Sequence, residues 1–237
     1  MRLSAHIGLL ASSTQIRMNT ISAIPNTPTT AEYSYADPFA TYSHAYILPR
    51  IRALLSQRGP GTRILDLGCG NGSLLGAISR PEWKLYGVDA SGSGIDMARQ
   101  AHPQIRFAIG DVTSGFDDLD CPGGYFDLVL ATEVIKHVYA PRKLVDNAFQ
   151  ALRQGGEIIL TTPYHGYLKN LALALTDRFD AHFTALWDGG HIKFWSRQTL
   201  TILLREARFS KLKFYGTGRC PLLWKSTVVS AKKPATG

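Results

Sequence analysis

Residues 64–74, ILDLGCGNGSL, constrain the fold of this chain more than any other stretch. Ile64, Leu65 and Leu67 form a short apolar run around Asp66, and glycines follow at 68, 70 and 72. Glycine tolerates positive φ and lets other groups approach the backbone closely. The stretch therefore reads as a buried strand that breaks into a tight loop and opens a helix, SLLGAISR. A dinucleotide-binding loop needs G-x-G-x-x-G. Counted from Gly68 the third glycine would fall at Ser73, so the spacing here is G-x-G-x-G with an acid two residues ahead of it.

The alternation that starts there continues. KLYGVDA reads as a second strand and GSGIDMARQAH as a helix; IRFAIGD and YFDLVLATE are the third and fourth strands. In PRKLVDNAFQALRQGG, Leu144, Val145, Ala148, Phe149 and Leu152 share one helical stripe, with Pro141 at its start and Gly155 or Gly156 as the expected cap. EIILTTP is the fifth strand, RQTLTILLREARF a helix, and KLKFYGTG and LLWKSTVVSA two final strands. Strand and helix in turn imply a parallel sheet covered on both faces. The fold class is α/β: a Rossmann-like, seven-stranded, mostly parallel sheet whose last strand pair is antiparallel. Ahead of it, Ile47, Ile51, Leu54 and Leu55 fall at helical spacing, with Pro49 implying a kink or a late start.

Length and composition set the outer bounds. With 237 residues, 45% of them hydrophobic, the chain can bury a real core. Residues 1–32 read as a flexible extension and 33–237 as one domain, with an insertion at about 163–195 where the alternation lapses. No apolar run reaches the roughly 18–20 residues of a membrane span. Ile7–Ala11 is shorter than the roughly 7–15 residues of a secretory core, and Met18 is a second candidate start beside Met1. Three widely spaced cysteines, Cys69, Cys121 and Cys220, form neither a disulfide framework nor a zinc ribbon. The expected compartment is the cytoplasm. The net charge of +8 is concentrated after Leu204, where eight basic residues face Glu206 alone. Such a face is either a solvated surface or an attractor for nucleic acid, anionic lipid or a phosphorylated substrate.

The spacing of 64–74 resembles motif I of the class I S-adenosylmethionine-dependent methyltransferases, and other residues fall into the family's pattern over about Ile51–Pro163. The resemblance implies that Asp66, Gly68, Cys69 and Gly70 form the cofactor loop. It implies that Asp89, nineteen positions beyond Gly70, accepts from the ribose hydroxyls. Asp111 would then read the adenine amino group with Val112 against the ring, and Thr132 would touch the cofactor at the end of the fourth strand. An NAD-dependent enzyme of the same topology, or a Rossmann-like fold without cofactor, is the competing reading.

The segment EVIKHV (133–138) is most similar to the branch containing the ubiquinone-biosynthesis O-methyltransferases, and also to small-RNA 2′-O-methyltransferases. That branch commonly shows E-x-x-E-H, where two carboxylates and a histidine hold a divalent cation. Here Lys136 replaces the second acid, which puts the cation in doubt and leaves His137 as the catalytic residue expected to take a proton from the acceptor. Tyr164, His165, Tyr167, His182, Phe183, Trp187, His191, Phe194 and Trp195 make the insertion the expected acceptor pocket, with His165 and His191 as substrate contacts. A small core under a long insertion is the plainer alternative. Tyr33, Tyr35, Tyr42, His44 and Tyr46 form either a lid on the cofactor or a packed aromatic stripe.

The expected reaction is methyl transfer from S-adenosylmethionine to a hydroxyl of a small or lipid-like acceptor, a quinol or other aromatic included. Peripheral contact with the inner face of a membrane would run through YLKNLALALTDRF. An RNA methyltransferase and a catalytically silent cofactor-binding partner protein are the alternatives. Arg208, in EARF, stands where the family often has a helix-stopping glycine.

Overall fold

Apolar side chains that alternate in and out of a strand, flanked by helices with one apolar stripe, can be satisfied only by a sheet covered on both faces. The computed structural model, which describes residues 43–115, 119, 121–183, 185–187 and 190–235, has that form. A first helix, α1 (His44–Leu55), is followed by β1 (Arg63–Leu67), α2 (Ser73–Ile78), β2 (Lys84–Asp89), α3 (Gly92–Ala101), β3 (Arg106–Ile109) and β4 (Phe126–Thr132). After a 3-10 turn at Ile135–His137 come α4 (Pro141–Ala151), β5 (Leu152–Pro163), α5 (Tyr167–Leu175) and α6 (Phe179–Phe183). The chain ends with α7 (Arg197–Glu206), β6 (Ser210–Thr217) and β7 (Ser226–Lys232). The expected N-terminal extension and Tyr33, Tyr35 and Tyr42 lie outside the described residues.

The seven strands run in the order β3-β2-β1-β4-β5-β7-β6. β1 to β5 pair in parallel, and β7 pairs antiparallel with both β5 and β6. Period-two alternation divides the core. Leu65, Val129, Ile158 and Val229 face α4 and α7, while Ile64, Leu128, Ile159 and Val228 face α1, α2 and α3. The strand order reverses between β1 and β4, and in open α/β sheets the crevice at the carboxyl ends of that pair is where ligands bind.

Two local expectations need correction. The α4 helix ends at Ala151 and passes directly into β5, so neither Gly155 nor Gly156 caps it. Gly155, at φ 72, instead lies in the bulge of β5 between Leu152, which pairs with Phe126, and Glu157, which pairs with Leu128. The amine of Lys233 takes over at the helix end, donating to the carbonyls of Phe149 and Leu152 at 2.7 Å each. Pro49 does not delay α1, which begins at His44 and carries the proline in its interior. Arg208 adopts φ 67, the left-handed conformation that glycine takes at low cost, and its guanidinium sits 4.5 Å from the Phe149 ring.

At the opposite edge of the sheet Asp127 accepts from Arg63, at 2.9 Å from both backbone N and Nε, and from Arg153, joining β1, β4 and β5. Burial alone would raise this carboxyl, but the two guanidinium partners outweigh it and hold it well below the usual carboxylate range. A depressed folded-state pKa contributes stability above the unfolded value near 4 that is lost as pH falls toward the folded one. Asp127→Asn should therefore lower stability by about 1–3 kcal/mol at pH 7. Urea titrations should show the gap from wild type closing as pH drops below about 4.

Candidate active site

The glycine loop is held from within rather than opened for a ligand's anion. Gly68 N–H and Cys69 N–H both donate to the Val88 carbonyl, at 2.7 and 3.0 Å, and Gly70 N–H donates to Asp89 Oδ2 at 2.8 Å. Asp89 Oδ1 accepts from Ser91 N–H at 2.8 Å. Three consecutive amides thus point into the protein. The phosphate-binding loop of a dinucleotide site works the other way, presenting its amides to the pyrophosphate. Gly68 has φ 75, and a Cβ there would lie 2.4 Å from Val134, so this glycine is required by the close passage of the loop after β4. Cys69 is buried, and burial pushes its thiol well up, so its side chain is packing rather than a nucleophile.

Acidity marks this half of the site. Asp66 is 1% exposed, and its Oδ1 is a buried oxygen without a hydrogen-bond partner. Burial first, and the charge of Asp89 second, push its carboxyl up to about 8. Burial also raises Asp89, against the lowering effect of the Ser91 and Gly70 amides. Opposite them across the β1–β4 reversal, Thr132 Oγ1 is another buried oxygen without a partner. Asp111 Oδ1 closes a turn after β3, accepting from the Thr113 amide and hydroxyl at 2.7 Å each. Val112 is 4% exposed and packs with the core on the α4 side, its carbonyl accepting from Asn147. The crevice therefore brings Asp66, Asp89 and Thr132 to one edge, with Asp111 and Val112 one strand further out. A pair of buried carboxylates, one carrying an orphaned oxygen, fits a ligand with a cationic group and disfavours a pyrophosphate. S-adenosylmethionine, with its ammonium and sulfonium, has that charge.

Beyond β4 the chain turns sharply. Glu133 adopts φ 61, unusual for a non-glycine residue, because its backbone N–H is drawn to Thr161, at 3.0 Å from Oγ1 and 3.2 Å from the carbonyl. Its carboxylate accepts from Lys136 Nζ at 2.6 Å, from Thr161 Oγ1 at 2.9 Å and from Ser226 Oγ at 3.1 Å. That carboxylate is spent tying β4 to β5 and β7. With a buried ammonium already on this carboxylate, the donor set does not fit a divalent cation. Among the described residues there is no group of three or more His, Cys, Asp or Glu that could hold one.

His137 follows at once, in the 3-10 turn. Its Nδ1 lies 3.1 Å from the Gly190 carbonyl. A carbonyl only accepts, so neutral His137 carries its proton on Nδ1 and its lone pair on Nε2. The insertion is fastened to this turn, since Ile192 N–H and Lys193 N–H donate to the Lys136 carbonyl at 2.9 and 3.1 Å. That fastening brings the His191 ring to 5.2 Å from His137, with Trp187 edge-on to both. Burial, then the charges of Lys136 and neighbouring histidines, lower His191 to about 3. His165 is lowered to about 4 by burial and then Lys169, and it packs edge-on to Phe194 and flat against Phe183. The two histidines singled out in the sequence are both half-buried, neutral and lined by aromatic rings. His182, not singled out there, stands 5.9 Å from His165, and only the density of rings in 163–195 pointed to it. At the N-terminal side, the Tyr46 ring lies under Lys225 and α1 packs on the sheet through Ile47, Ile51 and Leu55.

A family model described as a methyltransferase domain matches residues 39–213. An uncharacterised 37.1 kDa protein in transposon TN4556 of Streptomyces fradiae is 29% identical over 148 residues, which is 60% of this chain and 40% of that protein. A ubiquinone biosynthesis O-methyltransferase of Ruegeria sp. (strain TM1040) is 31% identical over 172 residues, 71% of this chain and 68% of the relative. The chain thus spans between two fifths and about two thirds of these relatives' lengths. Among solved structures the [4+2]-cyclase SpnF superposes with a TM-score of 0.62 at 17% identity, over 88% of this chain and 89% of that one. That likeness is one of fold.

Asp66 should cost the ligand-free protein stability. Its folded-state carboxyl, near 8, lies above the unfolded value near 4, so the folded state holds the proton more tightly and stability falls as pH rises between them. Asp66→Asn should stabilise the protein at pH 7.5, by on the order of 1–3 kcal/mol. In thermal melts that gain should grow from pH 5 to 8 and level off above; a gain that is the same at every pH would contradict the assignment.

Proposed function

The chain belongs to the methyltransferase-domain family, the class I S-adenosylmethionine-dependent methyltransferases, and on that footing we propose that it methylates a hydroxyl of a small or lipid-like acceptor. The single observation that carries the hydroxyl reading is His137, held in one tautomer by the Gly190 carbonyl beside an aromatic and imidazole-lined insertion. A base fixed by a carbonyl on one nitrogen can take the hydroxyl proton on the other as the oxygen attacks. The cofactor supplies the electrophilic methyl. Asp66 and Thr132 would hold its methionine end, Asp89 the ribose and Asp111 the adenine side; Gly68, Cys69 and Gly70 shape the loop. His165 and His191, neutral and half-buried, would line the acceptor without competing for its proton. The name of the Ruegeria relative favours a quinol or other aromatic alcohol.

RNA fits less well. Several of the C-terminal cations are already engaged within the fold: Lys233 at the end of α4, Arg208 over Phe149 and Lys225 over Tyr46. A membrane surface fits better. No residue of α5 is buried, and Tyr167, Leu168, Leu171 and Leu175 are exposed large apolar groups beside Lys169. Such a helix can lie at a bilayer surface and draw a lipid-like acceptor to the site. Among the described residues no helix is long and apolar enough to cross a membrane.

Calorimetry with S-adenosylmethionine tests the cofactor assignment, and Asp89→Ala should weaken binding by at least about ten-fold. Because a cation beside Asp66 pulls its pKa down from about 8, binding at pH 7 should release protons. The affinity should rise with pH until about 8, measured in buffers of differing ionisation enthalpy. His137→Gln should leave the Kd for S-adenosylmethionine in place and cut turnover roughly 10²–10⁴-fold on any acceptor found in a catechol and quinol panel. Full turnover in that variant would return residues 133–138 to scaffold. Tight cofactor binding with no turnover across the panel would favour a catalytically silent partner protein. In flotation with anionic liposomes, Leu171→Glu/Leu175→Glu should abolish association; equal flotation of both proteins would remove the membrane reading.

A further inference from the structure

Around the proposed acceptor pocket the described residues carry more positive charge than their carboxylates can balance. Lys169, on α5, is half-buried and fixed, its Nζ donating to the Tyr164 carbonyl at 2.9 Å. Arg219, in the connection between β6 and β7, lies within electrostatic reach of Lys169 and of His182. Burial and then Arg219 lower the Lys169 ammonium, against the opposing pull of Glu133. Glu133 cannot neutralise both lysines, because Lys136 Nζ is already on its carboxylate at 2.6 Å. The other described carboxylates of this segment, Asp177 and Asp180, are exposed. Burying an ammonium near a guanidinium costs free energy that a neutral acceptor would not recover.

The walls beside these cations are flat. His165 stacks on Phe183 at 5.9 Å with an interplanar angle of 13°, Phe179 stacks on Phe183 at 5.3 Å, and Phe194 stands edge-on to both His165 and Phe183. His182 edges the same ring at 4.9 Å. Planar apolar surface with the fixed Lys169 ammonium next to it in sequence and space, and the Arg219 guanidinium in electrostatic reach of both Lys169 and His182, is complementary to an aromatic or apolar body that ends in an oxyanion.

Resting on the methyl-transfer reading, we infer that the acceptor bears an oxyanion, a carboxylate or a phosphate, in addition to the hydroxyl that is methylated. Lys169 and Arg219 receive that group, and the His165–Phe183–Phe194 cluster receives the body that carries it. Burial first, and Lys169 second, hold the His165 and His182 imidazoles below their ordinary range, so these rings are left to hydrogen-bond rather than to carry charge, and an acceptor anion satisfies the ammonium and guanidinium instead.

The test uses the full-length protein saturated with the spent cofactor, S-adenosylhomocysteine, titrated with benzoate, phenyl phosphate and the neutral benzyl alcohol. At least one oxyanion should bind about ten-fold or more tightly than benzyl alcohol. The ranking of benzoate against phenyl phosphate tells which oxyanion the site takes. Lys169→Gln and Arg219→Gln should each weaken oxyanion binding by roughly three- to ten-fold, with benzyl alcohol and S-adenosylhomocysteine affinities unchanged. Arg219 is exposed, so its variant keeps the test valid if the Lys169 variant fails to fold. Equal binding of all three probes by wild type, or oxyanion affinity unchanged in both variants, would overturn the inference while S-adenosylhomocysteine still binds. Failure to bind S-adenosylhomocysteine at all would remove the methyltransferase reading and this inference with it.

Discussion

The hydrogen bond from the Gly70 amide to Asp89, 2.8 Å long, is the constraint around which the cofactor half of the molecule is arranged. It pulls the loop after β1 over the end of β2. That leaves room for no side chain at position 68, where Val134 already presses against the backbone, or at 72, where a Cβ would lie 2.9 Å from Ala98 and Phe107. The loop's amides are consumed in the process, and with them the means of gripping a phosphate. What remains at the crevice is carboxylate. The fold class is shared with dinucleotide-binding proteins; the direction in which these amides point separates the two chemistries.

A second knot governs the acceptor half. Glu133 takes a strained backbone conformation, costing on the order of 1 kcal/mol or more, and in return it collects Lys136, Thr161 and Ser226 from three separate parts of the sheet edge. His137 is the residue next to that lysine. Its position is therefore inherited from an ion pair that takes no part in the proposed chemistry. The backbone carbonyl of Lys136 then anchors Ile192 and Lys193, so the same residue places His191 as well.

The strands, their order of types and the antiparallel end were legible in the sequence because each depends on local periodicity. Leu144, Val145 and Ala148 needed only their spacing to be placed on the buried face of α4. Errors arose where a local rule met a tertiary competitor. Gly155 looked like a helix cap by its distance from Pro141, yet Lys233, some eighty residues on, supplies the capping donors and frees the glycine to shape β5. Glu133 looked like one ligand of a weakened cation site because of its neighbours in sequence, whereas two of its partners, Thr161 and Ser226, lie in strands that no spacing rule connects to it. The tautomer of His137 was likewise invisible, because it is set by the carbonyl of Gly190.

The two halves of the crevice have opposite electrostatic character, and a transferase of this kind can use that difference. On the β1–β2 side Asp66 and Asp89 are buried acids with raised pKa values, suited to a cationic donor. On the β5–β7 side Lys136, Lys169 and Arg219 outnumber their carboxylates, suited to an acceptor with negative charge. With the proposed anionic acceptor, each half would repel the other's ligand, sorting donor from acceptor before any fine contact forms. Methyl transfer turns the sulfonium into a neutral thioether, so the spent cofactor presents less positive charge to Asp66 than the fresh one did. On the proposed assignment of Asp66 to the donor, the same buried carboxyl would hold the product less tightly than the charged donor.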